Sequence, residues 1–185
     1  MLRWLIADDF VPQREGRIFM SDRQAVGYST LQISLHWLIA ALVAFQLIFG
    51  EGMTNVRDAA EEGVTPSSVD FAVSIGHYWF GIAILVLVLV RLGVRLNQGV
   101  PPRPVATPSL IDWAAKLVHW AFYVMLFAMP VLGLLTVYVS DSFGDIHKLG
   151  KPIFIALIAI HVLAALFHQF IKRDGTLRRM LVPAR

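Results

Sequence analysis

The chain has 185 residues, 57% hydrophobic and only 16% charged, with a formal net charge of +3 and a mean hydropathy of +0.64. That is too apolar for an ordinary soluble domain and too short for more than one membrane bundle. Cysteine is absent, which excludes disulfides, thiolate-held iron–sulfur clusters and thioether-attached haem.

Residues 1–28 are polar to mixed, carrying Asp8, Asp9, Arg14, Glu15 and Arg17, and read as a cytoplasmic tail. The run Leu2 to Ala7 is too short for a signal-peptide core. Met20 opens a plausible natural start, so residues 1–19 are expected to be an upstream start-codon error or a disordered tail. Residues 29–176 are expected to form one membrane domain, and residues 177–185 a basic cytoplasmic tail.

Four apolar spans follow, about Leu31 to Gly50, Phe71 to Leu96, Ile111 to Tyr138 and Ile146 to Ile171. Each is long enough to cross about 30 Å of hydrocarbon as a helix. A soluble bundle is excluded because LIAALVAFQLIFG and IAILVLVLV leave no polar face for water. The expected fold is an all-α integral membrane bundle of four helices, with Pro130 bending the third. The stretch VPPRPVATP, residues 100–108, reads as an extended cytoplasmic connector.

Thirteen of the sixteen basic residues lie before the first span, around the link between spans two and three, or in the tail. The other side has Arg57, Lys148 and Lys151 beside Glu51, Asp58, Glu61, Glu62, Asp70, Asp141 and Asp145. This asymmetry predicts a membrane protein with both termini in the cytoplasm. The basic charge thus reads as orientation, and nothing supports nucleic-acid binding.

The histidines carry the chemistry. His147, His161 and His168 are spaced by 14 and 7 residues on the last span, which puts them on roughly one helical face, with His147 and His161 about 21 Å apart. Depth then pairs the rest. His36 and His161 fall in the cytoplasmic half, His77 and His147 in the periplasmic half. Polar residues inside a membrane are costly and usually functional. Two layers of paired imidazoles fit axial ligands of two non-covalent b haems, a closed ligation suited to electron transfer. Gly81, one turn after His77, and Ala164 and Ala165, one turn after His161, would let a flat macrocycle approach the backbone, or simply serve helix packing. His119 and His168 are left near the cytoplasmic interface. Their functional reading is proton relay or quinone contact, with His168 favoured because it lies one heptad beyond His161. Arg91 and Arg95 would pair with haem propionates or enforce orientation. No histidine pair has the three- or four-residue spacing of a compact zinc or di-metal site.

The segments LQISLHW (31–37), GHYWFGIAILVLVLVRLGVRL (76–96), VHWAFYVMLFAMPVLGL (118–134) and HKLGKPIFIALIAIHVLAALFHQFIKRDGTLRRML (147–181) resemble the bacterial cytochrome b561 family, which is grouped with the b-type subunits of nickel hydrogenases. The resemblance covers about Tyr28 to Arg185. It implies a four-helix bundle with two b haems linking ubiquinone or another quinone to an electron donor or acceptor, and ligation by His36 with His161 and His77 with His147. Some relatives are regarded as superoxide oxidases. Here the outer connection, residues 139–146, is short, and acidic outer loops suit an anionic substrate poorly, although Lys148 and Lys151 beside His147 partly offset this.

The expected function is therefore electron transfer between a periplasmic one-electron partner, superoxide among the candidates, and membrane quinone. The alternative is a haem-binding anchor subunit of a larger dehydrogenase with a soluble partner. A non-haem tetraspan protein would show no pairing of histidine depths.

Overall fold

The computed structural model describes residues 27–101 and 109–184. The expected N-terminal tail up to residue 26 and most of the 100–108 connector lie outside the described residues. Among the described residues there is no strand, and four segments are long and apolar enough to cross a membrane. They contain α1 (Thr30–Phe49), α3 (Ser68–Gln98), α4 (Ser109–Tyr138) and α5 (Ser142–Phe167), with a shorter helix, α2 (Glu51–Glu61), following α1.

Local sequence sets the helix starts. Ser29 caps α1 and forms a reciprocal capping box with Gln32, which satisfies backbone N–H groups that no helical carbonyl can reach. Ser67 caps α3 through the Asp70 amide at 3.0 Å. The α4 helix runs unbroken through Pro130, as the surrounding bundle permits. At its C-terminus α5 loosens into a π-helical turn, His168–Lys172, before Arg173 turns left-handed at φ 52°.

Hydropathy places no element between Gly50 and Phe71, yet α2 forms there. It is short and polar, and it packs on α3 through buried Gly52 and Ala59. An Asn55 side chain donating to the Asp70 carboxylate at 2.9 Å ties the two helices together. The α5 helix also starts four residues earlier than the apolar run does, so the non-helical α4–α5 link shrinks to Val139, Ser140 and Asp141.

Packing is uneven. The helix pairs α1 and α3, α4 and α5, and α3 and α4 lie close along their lengths. By contrast α5 stays wide of both α1 and α3, and its backbone approaches neither extensively. The core at mid-depth is Ile39, Val43, Ile84, Val88, Leu126 and Phe154. Most other large apolar side chains face outward, as lipid contact requires.

Both described termini meet at one end of the bundle, called the terminal end, where the Ala184 amide donates to the Tyr28 carbonyl at 3.0 Å. The tail after α5 folds back along the start of α1, and Trp37 Nε1 donates to the Met180 carbonyl at 2.8 Å. The opposite, far end carries α2 and the α4–α5 link.

Candidate functional site

Two histidine layers occupy the wide seams around α5. Toward the far end, His77 of α3 faces His147 of α5 with ring centres 6.0 Å apart and planes at 73°. Toward the terminal end, His36 of α1 faces His161 of α5 at 6.3 Å and 60°. The pairs are those expected from depth. Phe154, buried and midway between His147 and His161 in sequence, separates the layers with its ring 6.4 Å from that of Phe122.

In the far layer, the His147 imidazole donates from Nδ1 to the Met129 carbonyl at 3.0 Å. A carbonyl only accepts, so this bond puts the proton on Nδ1 and leaves the Nε2 lone pair available. The Nδ1 of His77 is buried without a hydrogen-bond partner among the described residues, a cost that packing alone does not justify. Glycine gives both rings room. A Cβ added to Gly133 would lie 3.3 Å from His147 Cε1, and one at Gly50 would lie 3.5 Å from His77 Cε1. Of the small residues singled out in the sequence, Gly81 instead faces the Gln46 amide, 3.4 Å from where its Cβ would be. That amide donates to the His77 carbonyl at 2.8 Å.

The near layer holds a third histidine. His119 of α4, expected near the interface, stands with its ring centre 5.7 Å from His161. The reason is depth: α4 begins at Ser109, so His119 lies about 15 Å along the helix. Lys116, which suggested an interface, pairs with Asp112 at 2.6 Å one turn before it. The His119 Nδ1 lies 2.6 Å from the Ala115 carbonyl. Phe122 and Trp37 pack edgewise on His161 and His36 at 5.4 and 5.3 Å.

The two arginines face this end. Arg91 donates from Nη1 to the Gln32 carbonyl at 2.8 Å, and the Arg95 guanidinium lies 5.9 Å from the Tyr123 ring centre. They line a shallow pocket with Tyr28, Gln32, Leu35 and Tyr123. His168 lies beyond the near layer, its Nδ1 bonded to the Asp174 carboxylate at 2.5 Å. Sequence reasoning missed Asp174, whose signal was its place just after the apolar run.

At the far end two of the three cations, Lys151 and Arg57, are engaged. Lys151 pairs with Glu51 at 2.8 Å, and Arg57 pairs with Glu61 at 3.1 Å and Asp141 at 3.2 Å. These bonds join α2 to α5 and to the α4–α5 link.

The donors fit haem. Two imidazoles that held one haem iron between them, each about 2 Å away, would have ring centres on the order of 6 Å apart. Both pairs match that spacing, and both lie between helices whose backbones stand apart. Among the described residues, no three His, Cys, Asp or Glu side chains converge on a non-haem metal site.

Residues 27–183 match the family model described as prokaryotic cytochrome b561. The chain is 38% identical to "Cytochrome b562" of Cereibacter sphaeroides, over 86% of this chain and 98% of that protein. It is 30% identical to "Cytochrome b561 homolog 1" of Escherichia coli (83% and 96% covered). It is 29% identical to "Probable superoxide oxidase CybB" of Yersinia pestis (83% and 95% covered). The chain therefore belongs to the prokaryotic cytochrome b561 family, bacterial membrane electron-transfer proteins of the b-haem type.

Proposed function

We propose that this chain is a dihaem wire, with one b haem ligated by His36 and His161 and the other by His77 and His147. It would carry electrons between membrane quinone at the terminal end and a one-electron partner at the far end. The observation that carries this reading is that both facing pairs use α5, at centre distances of 6.3 and 6.0 Å, on layers about 21 Å apart along that helix. Bound haem supplies reversible one-electron chemistry.

The protein's own residues do the rest. Four imidazoles offer ring nitrogens from three helices, and the Met129 carbonyl fixes the tautomer of His147. Phe154 and the mid-depth aliphatic core exclude water between the layers. His168, at the terminal end, would contact quinone and handle its protons. The excess of basic residues there supports a cytoplasmic placement of that end.

Superoxide is the less favoured partner, because Arg57 and Lys151 are already paired with carboxylates. The anchor-subunit reading is also weaker, since the α4–α5 link offers three non-helical residues for docking. Alanine replacement of each of the four histidines tests the assignment. Each variant is expected to lose one haem and keep the other, and a variant retaining full haem content would remove that residue from the ligand set.

A further inference from the structure

The π-turn at the end of α5 has more structure than helix termination needs. His168–Lys172 is π-helical, Arg173 is left-handed at φ 52°, and Gly175 is left-handed at φ 73°. Arg173 is the only described non-glycine residue with positive φ, a conformation costing roughly 1 kcal/mol or more for a residue with a Cβ. π-turns and such outliers concentrate at functional sites.

The result is to bring Asp174 back under His168. One carboxylate oxygen, Oδ2, accepts from His168 Nδ1 at 2.5 Å. The other, Oδ1, accepts from the Thr176 hydroxyl at 2.6 Å and the Thr176 amide at 3.0 Å. Both oxygens are therefore assigned, and the carboxylate cannot swing. The Asp174 side chain is only 10% exposed, that of His168 26%. Phe170 and Ile171, on the same turn as His168, are exposed apolar residues, as expected where a lipid-borne substrate would enter.

We propose that Asp174 is a positioning residue that makes His168 a directed proton donor and acceptor for quinone. This rests on the quinone contact proposed above for His168. A carboxylate on Nδ1–H fixes the tautomer, aims Nε2 away from the tail and stabilises the imidazolium.

The proton and electron count closes. Each quinone carbonyl oxygen that becomes a hydroxyl takes one electron from the b-type carrier and one proton from Nε2–H of the His168 imidazolium. The Nδ1–H stays on the imidazole, hydrogen-bonded to Asp174, and neutral His168 regains a proton at Nε2 from water at the terminal end. In the opposite direction a quinol O–H gives its proton to the Nε2 lone pair as its electron leaves to the carrier. His168 is the ionisable group that acts on the Asp174 carboxylate. The adjoining cations Lys172 and Arg173 lie on the same turn, with Arg173 Nε directed to the Phe170 carbonyl at 3.3 Å.

The test uses the full haem-loaded chain in lipid nanodiscs, reduced by a short-tailed ubiquinol across a range of pH. Asp174→Asn is expected to keep haem content, spectrum and reduction by dithionite. It should slow ubiquinol-driven haem reduction roughly tenfold to a hundredfold. The dependence of that rate on pH should also differ from that of the unaltered chain, because the imidazole is no longer held in one tautomer. Asp174→Glu should restore part of the rate. An Asp174→Asn rate and pH profile like those of the unaltered chain, while His168→Gln abolishes the reaction, would overturn the positioning role alone. A His168→Gln variant that still reacts with ubiquinol would overturn the quinone reading and the positioning role together. Should Asp174→Asn fail to fold, Thr176→Val loosens the same carboxylate. A smaller loss of rate supports the role, and an unchanged rate and pH profile overturn it.

Discussion

The Nδ1 of His147 lies 3.0 Å from the carbonyl oxygen of Met129, on a different helix. That contact locks the ring in one tautomer and ties α5 to α4 where the far pair sits. Gly133, one turn beyond Met129, leaves only 3.3 Å between a would-be Cβ and His147 Cε1. Gly133→Ala should therefore keep the far haem but shift its midpoint potential, at a cost of about 1–3 kcal/mol in stability. Gly133→Leu should lose that haem and leave the near one. Potentiometric titration of the two variants checks both, and equal effects on the two haems would contradict the placement.

The near layer offers His161 two partners, His36 at 6.3 Å and His119 at 5.7 Å. His36 is the proposed ligand, because α1 and α5 stand apart whereas α4 and α5 pack closely. His119→Phe is thus expected to retain full haem content with a changed near-haem potential, and His36→Phe to lose the near haem. The reverse pattern in pyridine haemochromogen assays would make His119 the ligand.

The spans and the paired depths were legible because both depend on spacing along a helix, which the sequence states directly. His147 and His161 share a face by arithmetic alone. What stayed illegible depends on contacts between elements. His119 reads as interfacial beside Lys116, but the Lys116–Asp112 pair satisfies that charge within the helix, and α4 sets the His119 ring against His161. The α2 helix escapes a hydropathy reading because only Gly52 and Ala59 are buried, against α3. Asp174 escapes because its partner is set by a left-handed turn at Arg173, and nothing in that residue type announces one.

Far-end charge should control the partner reaction. Glu51→Gln releases Lys151 from its 2.8 Å pair. At low ionic strength this should raise the rate of haem reduction by an anionic donor, and lower that by a cationic donor, by roughly two- to fivefold. The difference should fade in high salt. Stability should change little, since the pair is exposed. Stopped-flow reduction measures the rates, and a salt-independent effect would point to a structural cause.

The tail should respond to acid. Desolvation pushes the Asp174 carboxyl up, but hydrogen bonds from Thr176 and His168 outweigh it and hold the group below its ordinary value. A carboxylate depressed in the folded state contributes stability above its unfolded pKa and loses it as pH falls through the folded one. The tail should therefore stay docked at neutral pH and loosen only in acid below the usual carboxylate range. Hydrogen-exchange protection of the Thr176 amide, corrected for intrinsic rates, reports this. In Asp174→Asn the amide should be less protected at neutral pH and lose the acid transition.

The most direct test is the haem-to-protein ratio of the purified chain in mild detergent, measured with a redox titration. Two b haems per chain with distinct midpoint potentials are expected, the far one lost in His77→Ala and the near one in His36→Ala. A single haem, or one insensitive to either substitution, would contradict the two-layer wire.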